Sequence, residues 1–367
     1  MIPRQEVPEG SWESIPLGPE PKRSRWQLAL VLVGALVLAA VLGAVFLFVE
    51  RARVLDGPLA LDGEPVLLVV KNGMTLRGVA RELSRRGLLA RSWPLIWEAR
   101  WQGVASRIKA GEYRLESGLT ARELLDKLVR GDVLLRTLTI VEGWNFTELL
   151  AAVRVREYLT HTLEKDSTPA TIMERLGLPG RHPEGRFYPE TYHFPRATTD
   201  VAFLKRAWST MERELARQWE QRAEGLPYKT PDEALILASI IEKETGTPEE
   251  RSQIAGVFAR RLQKGMRLQS DPTVIYGMGD SFTGNIRKRD LLRPTPYNTY
   301  TIPALPPTPI AMPGGASIHA ALHPAEGESL YFVAKGDGSH QFSATLKEHN
   351  RAVARYQLRR KAKRKSN

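Results

Sequence analysis

Between Leu28 and Val49 the chain runs for 22 residues without a charged side chain. As a helix rising 1.5 Å per residue, that stretch is about 33 Å long, enough to cross the hydrocarbon core of a bilayer with some tilt. A cleaved signal peptide has a shorter apolar core, so residues 26–49 read as a retained single transmembrane helix. Arg4, Lys22, Arg23 and Arg25 precede it, and only Arg51 and Arg53 come closely after it. That asymmetry puts the N-terminus in the cytoplasm and the body of the protein outside it. The tail over residues 1–25 holds five prolines and no helical or strand period, and reads as disordered.

The chain beyond the span has the makings of two or three folded domains, since 42% of the 367 residues are hydrophobic and 26% charged. The chain has no cysteine, which removes disulfides, thiolate catalysis and cysteine metal sites while leaving the compartment open. After a linker at 50–63 comes a weak internal repeat. Gly73-Met74-Thr75 leads into Val79, Ala80 and Leu83, and Gly118-Leu119-Thr120 leads into Leu124, Leu125 and Leu128 at the same offsets. Each threonine is placed to cap an amphipathic helix, ended by Gly87 or Gly131, while residues 66–70 and 111–114 read as strands. The expectation is a small α+β module over 64–135.

The larger domain, 136–350, is expected to be mixed α+β. Its clearest surface helix runs from Thr199 to Gln221, with Trp208 and Trp219 on the core stripe. Its centre is the stretch from Thr230 to Tyr276. Thr230, Pro231 and Glu233 form a helix-opening box, and from Ala234 to Ile241 only Ser239 is polar, so this helix belongs in a core. Gly246 is placed to stop it. Thr247, Pro248 and Glu250 repeat the opening for a second helix that ends at Gly265, and residues 269–276 then read as a turn into a strand. At about 100° per residue, Glu242 and Glu244 point some 200° apart and need different roles. Glu244 shares its stripe with Leu237, Ile240 and Ile241, and Glu242 lies over Leu235, Ala238 and Ser239. A carboxyl desolvated in the manner of Glu244 has a raised pKa, which suits a general acid that keeps its proton near neutrality.

The sequence EKETGTPEER, with GMRLQSDPTVIYGMG, PYNTYTI and LPPTPIAMPG after it, resembles the endolytic murein transglycosylase (YceG-like) family. EGRFYPETY at 184–192, VEGW at 141–144, KAGEYR at 109–114 and HPA at 323–325 extend the likeness over nearly everything after the apolar span. The resemblance implies cleavage of peptidoglycan glycan strands with the second glutamate of EKET, here Glu244, as the catalytic residue. It also implies a LysM-like, glycan-binding role for the 64–135 module, and peptidoglycan synthases (penicillin-binding proteins) as partners. One departure stands out: Pro306, Pro307 and Thr308 occupy a place where the family has PPG, so that loop is expected to differ in backbone.

Gln269, Asp271, Tyr297, Asn298 and Tyr300 are of the types that hydrogen-bond sugar hydroxyl and acetamido groups, with Asp271 alternatively capping the turn that Pro272 begins. Phe187, Tyr188, Glu190 and Tyr192 cluster aromatic rings with a carboxylate, which suits stacking on sugar rings and equally a loop packed on the core; the resemblance assigns Glu190 and Tyr192 to the cleft. His319 and His323 stand four apart, but no carboxylate completes a metalloprotease-like motif, so neither a metal nor another cofactor is expected. The tail over 351–367 ends in RRKAKRK, six of the twelve net positive charges. It reads as a solvated helix end, and nucleic acid is not expected as a partner. The competing reading is a non-catalytic, membrane-anchored peptidoglycan-binding or synthase-scaffolding protein whose glutamates are structural.

Overall fold

The computed structural model describes residues 25–358. The tail read as disordered and the RRKAKRK run lie outside the described residues, apart from Arg25. The chain divides into two units, one taking in the chain up to Ala110 together with Arg114–Asp132, the other Gly111–Tyr113 and everything from Val133 on.

The first unit begins with α1 (Arg25–Asp56). Its segment from Leu28 is long and apolar enough to cross a membrane, with no part of the apolar window covered by protein. The helix does not stop where the charges resume. It continues to Asp56 and buries Val54 and Leu55, so the first half of the expected linker is helical. The unit then adds β1 (Val66–Val70), α2 (Leu76–Arg85), α3 (Trp93–Trp101) and α4 (Ala121–Arg130), while β2 (Gly111–Leu115) is divided between the two units at Tyr113. The repeat is visible as structure. Thr75 accepts a bond from the Gly78 amide, Thr120 forms a reciprocal box with Glu123, and α2 and α4 bury residues at the same offsets from their threonines. Helix α3 was not foreseen, because Ser92 makes no capping bond and the tryptophan-rich run shows no clean stripe.

The second unit comprises β3 (Leu135–Thr139), α5 (Phe146–Arg154), α6 (Pro169–Arg175), β4 (Thr191–Pro195), α7 (Asp200–Glu220), α8 (Pro231–Glu244), α9 (Arg251–Gln263), α10 (Asp271–Met278), α11 (Lys288–Leu292), α12 (Gly315–Leu322), β5 (Tyr331–Ala334), β6 (His340–Ser343) and α13 (Leu346–Val353). The architecture is mixed α+β, with helices dominant and strands paired in twos. β3 runs antiparallel to β4, with Leu138 opposite Tyr192, and β5 with β6 makes a hairpin in which Ala334 faces His340. One core gathers Phe146, Phe187, Phe203 and Trp208. The other is built around α8.

The Thr230–Glu233 box forms as expected, and every residue of α8 from Ala234 to Ile241 is buried. Helices α7, α9, α10 and α12 pack around it. Burial of a leucine or isoleucine contributes about 1.5–3 kcal/mol, so Leu235, Leu237, Ile240 and Ile241 hold the C-terminal end of α8 firmly. Two expectations are corrected here. Residues 271–276 are helical rather than a strand: Asp271 and Pro272 occupy the first turn of α10, where an acid and a proline are both favoured, and this outweighs the β-branched run after them. The second opening is also not a capping box. Pro248–Glu250 is a single 3₁₀ turn and Thr247 does not cap, because the Glu250 carboxylate is engaged by His340.

Candidate active site

Glu244 is the last residue of α8, after which Thr245 takes an extended conformation. The helix therefore delivers the carboxyl from a rigid core to the edge of an opening of about 510 Å³. Gln269, Asp271 and Tyr300 line the same opening, as do Arg261, Tyr331 and His340. The Ser270 hydroxyl donates to Glu244 Oε1 at 2.5 Å. Burial pushes the Glu244 carboxyl up to about 7, the Ser270 hydrogen bond opposes that rise, and the charge of Asp271 adds to it. The negative end of the α8 dipole also disfavours charge at this position.

The loop facing Glu244 is held from beneath by three buried hydroxyl residues. The Ser270 amide donates to Thr299 Oγ1 at 2.9 Å, Thr273 Oγ1 donates to the Ser270 carbonyl at 2.6 Å, and the Thr273 and Thr299 hydroxyls meet at 2.8 Å. Arg261, itself buried, donates to the Leu268 carbonyl and to Gln269 Oε1. Gln269 is one of two non-glycine residues with positive φ among the described residues, at φ 55°. Such backbone strain persists only where the surroundings enforce it, and here Arg261 and the Thr299 carbonyl do so, the latter accepting from the Gln269 amide at 3.1 Å. Asp271 lies at the first position of α10 and does not cap it; the cap residue is Ser270, whose side chain is committed to Glu244. Tyr300 donates to Asp271 Oδ1 at 2.6 Å. Burial first, and then that carboxylate, push its phenol upward, so Tyr300 stays a donor.

The other sequence-selected residues fall elsewhere. Asn298 is 1% exposed; its Nδ2 donates to the carbonyls of Asp290, Leu291 and Arg293, and its Oδ1 accepts from the Tyr300 amide. It positions Tyr300 and, buried with its amide donors engaged, is not presented to a sugar. Tyr297 packs on Tyr276, and its hydroxyl pairs with Thr308 at 2.9 Å, so Thr308 serves as a hydrogen-bonding partner in its loop. Tyr192 is 2% exposed; it donates to the Tyr188 carbonyl at 2.8 Å and packs edge-on to Phe203, which makes it a core residue and not a sugar platform. Glu190 is exposed just before β4 and does not line the opening. His319 and His323 stack on one another, and His323 Nε2 lies 2.9 Å from the Gln221 carbonyl.

Glu242 and Glu244 separate as the helical wheel requires. Glu242 Oε2 accepts from the Gly314 amide at 2.9 Å, on a side where Glu142 also lies; burial and the nearby Glu242 charge push the Glu142 carboxyl up. Three contributors escaped the sequence reading. Ser270 carries no signal of its own within QSDPTV. Glu250 looked like a cap, yet it accepts from the His340 amide and meets His340 Nδ1, both at 2.7 Å, fixing the hairpin wall of the opening. Glu184 is pushed up to about 7 by burial; it accepts from the Phe146 amide at 3.0 Å and from the Tyr276 hydroxyl at 2.9 Å, anchoring the middle of α10. Its place inside EGRFYPETY was the only available signal.

The chain matches the model of the YceG-like family over residues 68–355. It is 29% identical over 333 residues to a Bacillus subtilis (strain 168) protein named endolytic murein transglycosylase, covering 86% of this chain and 91% of that one. A protein of the same name from Streptococcus pneumoniae (strain D39) is 26% identical over 339 residues, covering 83% of this chain and 61% of that longer one. A yceG-like protein of Listeria monocytogenes, known from a crystal structure, aligns at 26% identity with a TM-score of 0.48, over 79% of this chain and 99% of that one.

Proposed function

This chain belongs to the YceG-like family, and we propose that it cleaves peptidoglycan glycan strands by lytic transglycosylation, with Glu244 as both acid and base. It is an endolytic murein transglycosylase by its relatives' names. The observation that supports Glu244 is its position: a carboxyl carried by a buried helix, pushed up to about 7 and open on one side to a cleft. Such a group holds a proton at neutral pH and can still part with it. In the first step Glu244 gives its proton to the glycosidic oxygen as the bond between MurNAc C1 and the GlcNAc oxygen breaks. In the second, the carboxylate takes the proton of the muramyl 6-hydroxyl as that oxygen closes on C1. The bond broken and the bond formed balance without water, and the new end is a 1,6-anhydroMurNAc. A hydrolase would need a positioned water or a second carboxylate at a defined separation; Asp271 is instead tied to Tyr300. Gln269 and Tyr300 are the groups we assign to substrate binding.

The anchoring belongs to the same reading. Helix α1 serves as a single-pass anchor in the inner membrane; the basic residues before it favour a cytoplasmic N-terminus, with the catalytic unit in the periplasm. The repeat around Thr75 and Thr120 is the LysM-like part, and trimming or terminating nascent strands beside peptidoglycan synthases is the task such an anchor suits. The test is the product. Purified enzyme incubated with isolated glycan strands should give internal cuts and 1,6-anhydro ends by mass spectrometry; reducing muramic acid ends, or a disaccharide ladder from the earliest time points, refute the mechanism.

A further inference from the structure

At the end of α10 remote from Asp271, Met278 borders a second concavity of about 480 Å³. Arg287, Arg289 and Arg293 line it, with hydroxyl and amide groups from Ser281, Thr283 and Asn285. Asp290 is the single acid in this lining. Its carboxylate accepts from the Arg287 amide at 2.8 Å and lies 3.7 Å from Arg289 Nε. Among the described residues no ion pair joins Arg287 or Arg293 to an acid. Three guanidinium groups against one carboxylate leave a cationic hollow with neutral hydrogen-bonding groups at its side, which is the chemistry that receives a carboxylate.

The backbone under these arginines is fixed rather than loose. The buried Asn298 amide holds the carbonyls of Asp290, Leu291 and Arg293, at 3.2, 3.1 and 2.7 Å, and through its Oδ1 also holds Tyr300 at 2.9 Å. One side chain therefore sets the register between the arginine loop and the residue that binds Asp271. The eight residues of α10 set the spacing, about 12 Å from end to end at 1.5 Å per residue. That is the scale of one disaccharide repeat, on which the short acidic peptides of murein recur.

We propose that the Arg287–Arg289–Arg293 hollow binds a carboxylate of a strand's peptide substituent, so that the enzyme senses peptide-bearing muramyl residues next to the bond presented to Glu244. The proposal rests on the assignment of glycan strands as substrate and names what else on the strand is recognised.

Binding can be separated from cleavage by working with the full-length chain in detergent carrying Glu244→Gln. Dissociation constants are measured for strands with their peptides and for strands stripped of them by an amidase, with and without the triple substitution Arg287→Gln, Arg289→Gln, Arg293→Gln. The three exposed arginines should together supply roughly tenfold preference for peptide-bearing strands. The triple glutamine variant should lose that preference at unchanged melting temperature, and a triple lysine variant should keep a good part of it. No preference before substitution, an equal loss of affinity for stripped strands, or a lysine variant as poor as the glutamine one overturns the proposal. Cleavage by the unsubstituted enzyme is scored separately, so inactivity counts against the transglycosylase reading and a missing arginine-dependent preference counts against this one.

Discussion

Replacing Glu244 with glutamine should stabilise the protein in a pH-dependent way while removing most of the cleavage activity. The folded-state carboxyl sits at about 7 against 4.5 for the free group, chiefly because burial penalises its charge. Since this pKa is raised, the folded state holds a proton between pH 4.5 and 7 that the unfolded chain has released, and stability falls as pH rises through that window before levelling off above it. At 1.36 kcal/mol per pH unit the full cost is at most about 3 kcal/mol, less for the part of the carboxyl that solvent reaches. Glutamine keeps an acceptor for Ser270 and carries no charge at any pH. The melting temperature of Glu244→Gln relative to the parent should therefore be close to zero near pH 4.5 and rise to a gain of a few degrees at pH 8. The upper bound is roughly 6–12 °C at 2–4 °C per kcal/mol for a domain of this size. Taking the difference between the two chains matters because Glu184 titrates in the same region, and its contribution cancels. Differential scanning fluorimetry across pH 4.5–8.5 reads the effect. A difference that does not change with pH, or that changes in the opposite direction, refutes the account of Glu244 as a desolvated acid, whatever its activity.

Ser270→Ala removes the hydrogen bond that favours the charged form of Glu244. A bond of this kind contributes about 1.5–3 kcal/mol, so the alkaline limb of kcat/KM, expected near pH 7, should move upward by about one to two pH units; an unmoved limb means that the limb does not report Glu244. Glu242→Gln should keep most of the cleavage rate, because Glu242 holds the Gly314 amide and does not line the opening. Glu244→Gln should lose about 10²- to 10⁴-fold, and equal small losses in both variants, measured on isolated strands with unchanged melting, contradict the division of labour between them.

What could be read from the sequence was what depends on near neighbours. The Thr230 box, the apolar run to Ile241, and the paired Thr75 and Thr120 caps are local signals written within a dozen residues, and the structure bears them out. The angular separation of Glu242 and Glu244 is likewise a property of one helix. What could not be read was which side chain a polar residue would find across the fold. Glu250 has the spacing of a cap but meets His340, 90 residues away in sequence. Asn298 has the chemistry of a sugar ligand but spends all of its bonds on nearby backbone. Tyr192 alternates correctly for a strand, yet the face it occupies is the core face, and nothing in a five-residue strand says which face is covered. The α10 segment shows the same limit in another form: its β-branched residues favour a strand locally, and the acid and proline of its first turn, with packing of the segment against α8, decide for helix.

The last turn of α8 shows why a single acid can be placed with so few polar partners. Three consecutive residues leave it in three directions: Glu242 to the Gly314 amide, Lys243 Nζ to the Gly143 carbonyl at 3.1 Å, and Glu244 to Ser270. The first two fasten the helix end to the loop before α12 and to the turn at Gly143, which opens the way into α5, so rotation of the helix about its axis is resisted from both sides. Glu244 then needs no dense network of its own to be oriented. A carboxyl caught in such a network would be pulled down towards the ordinary range by each added donor. With one hydroxyl donor, an apolar helix behind it and the negative end of the dipole beneath it, the group stays near 7, where giving a proton to a leaving oxygen and recovering one from a sugar hydroxyl are both accessible at the same pH.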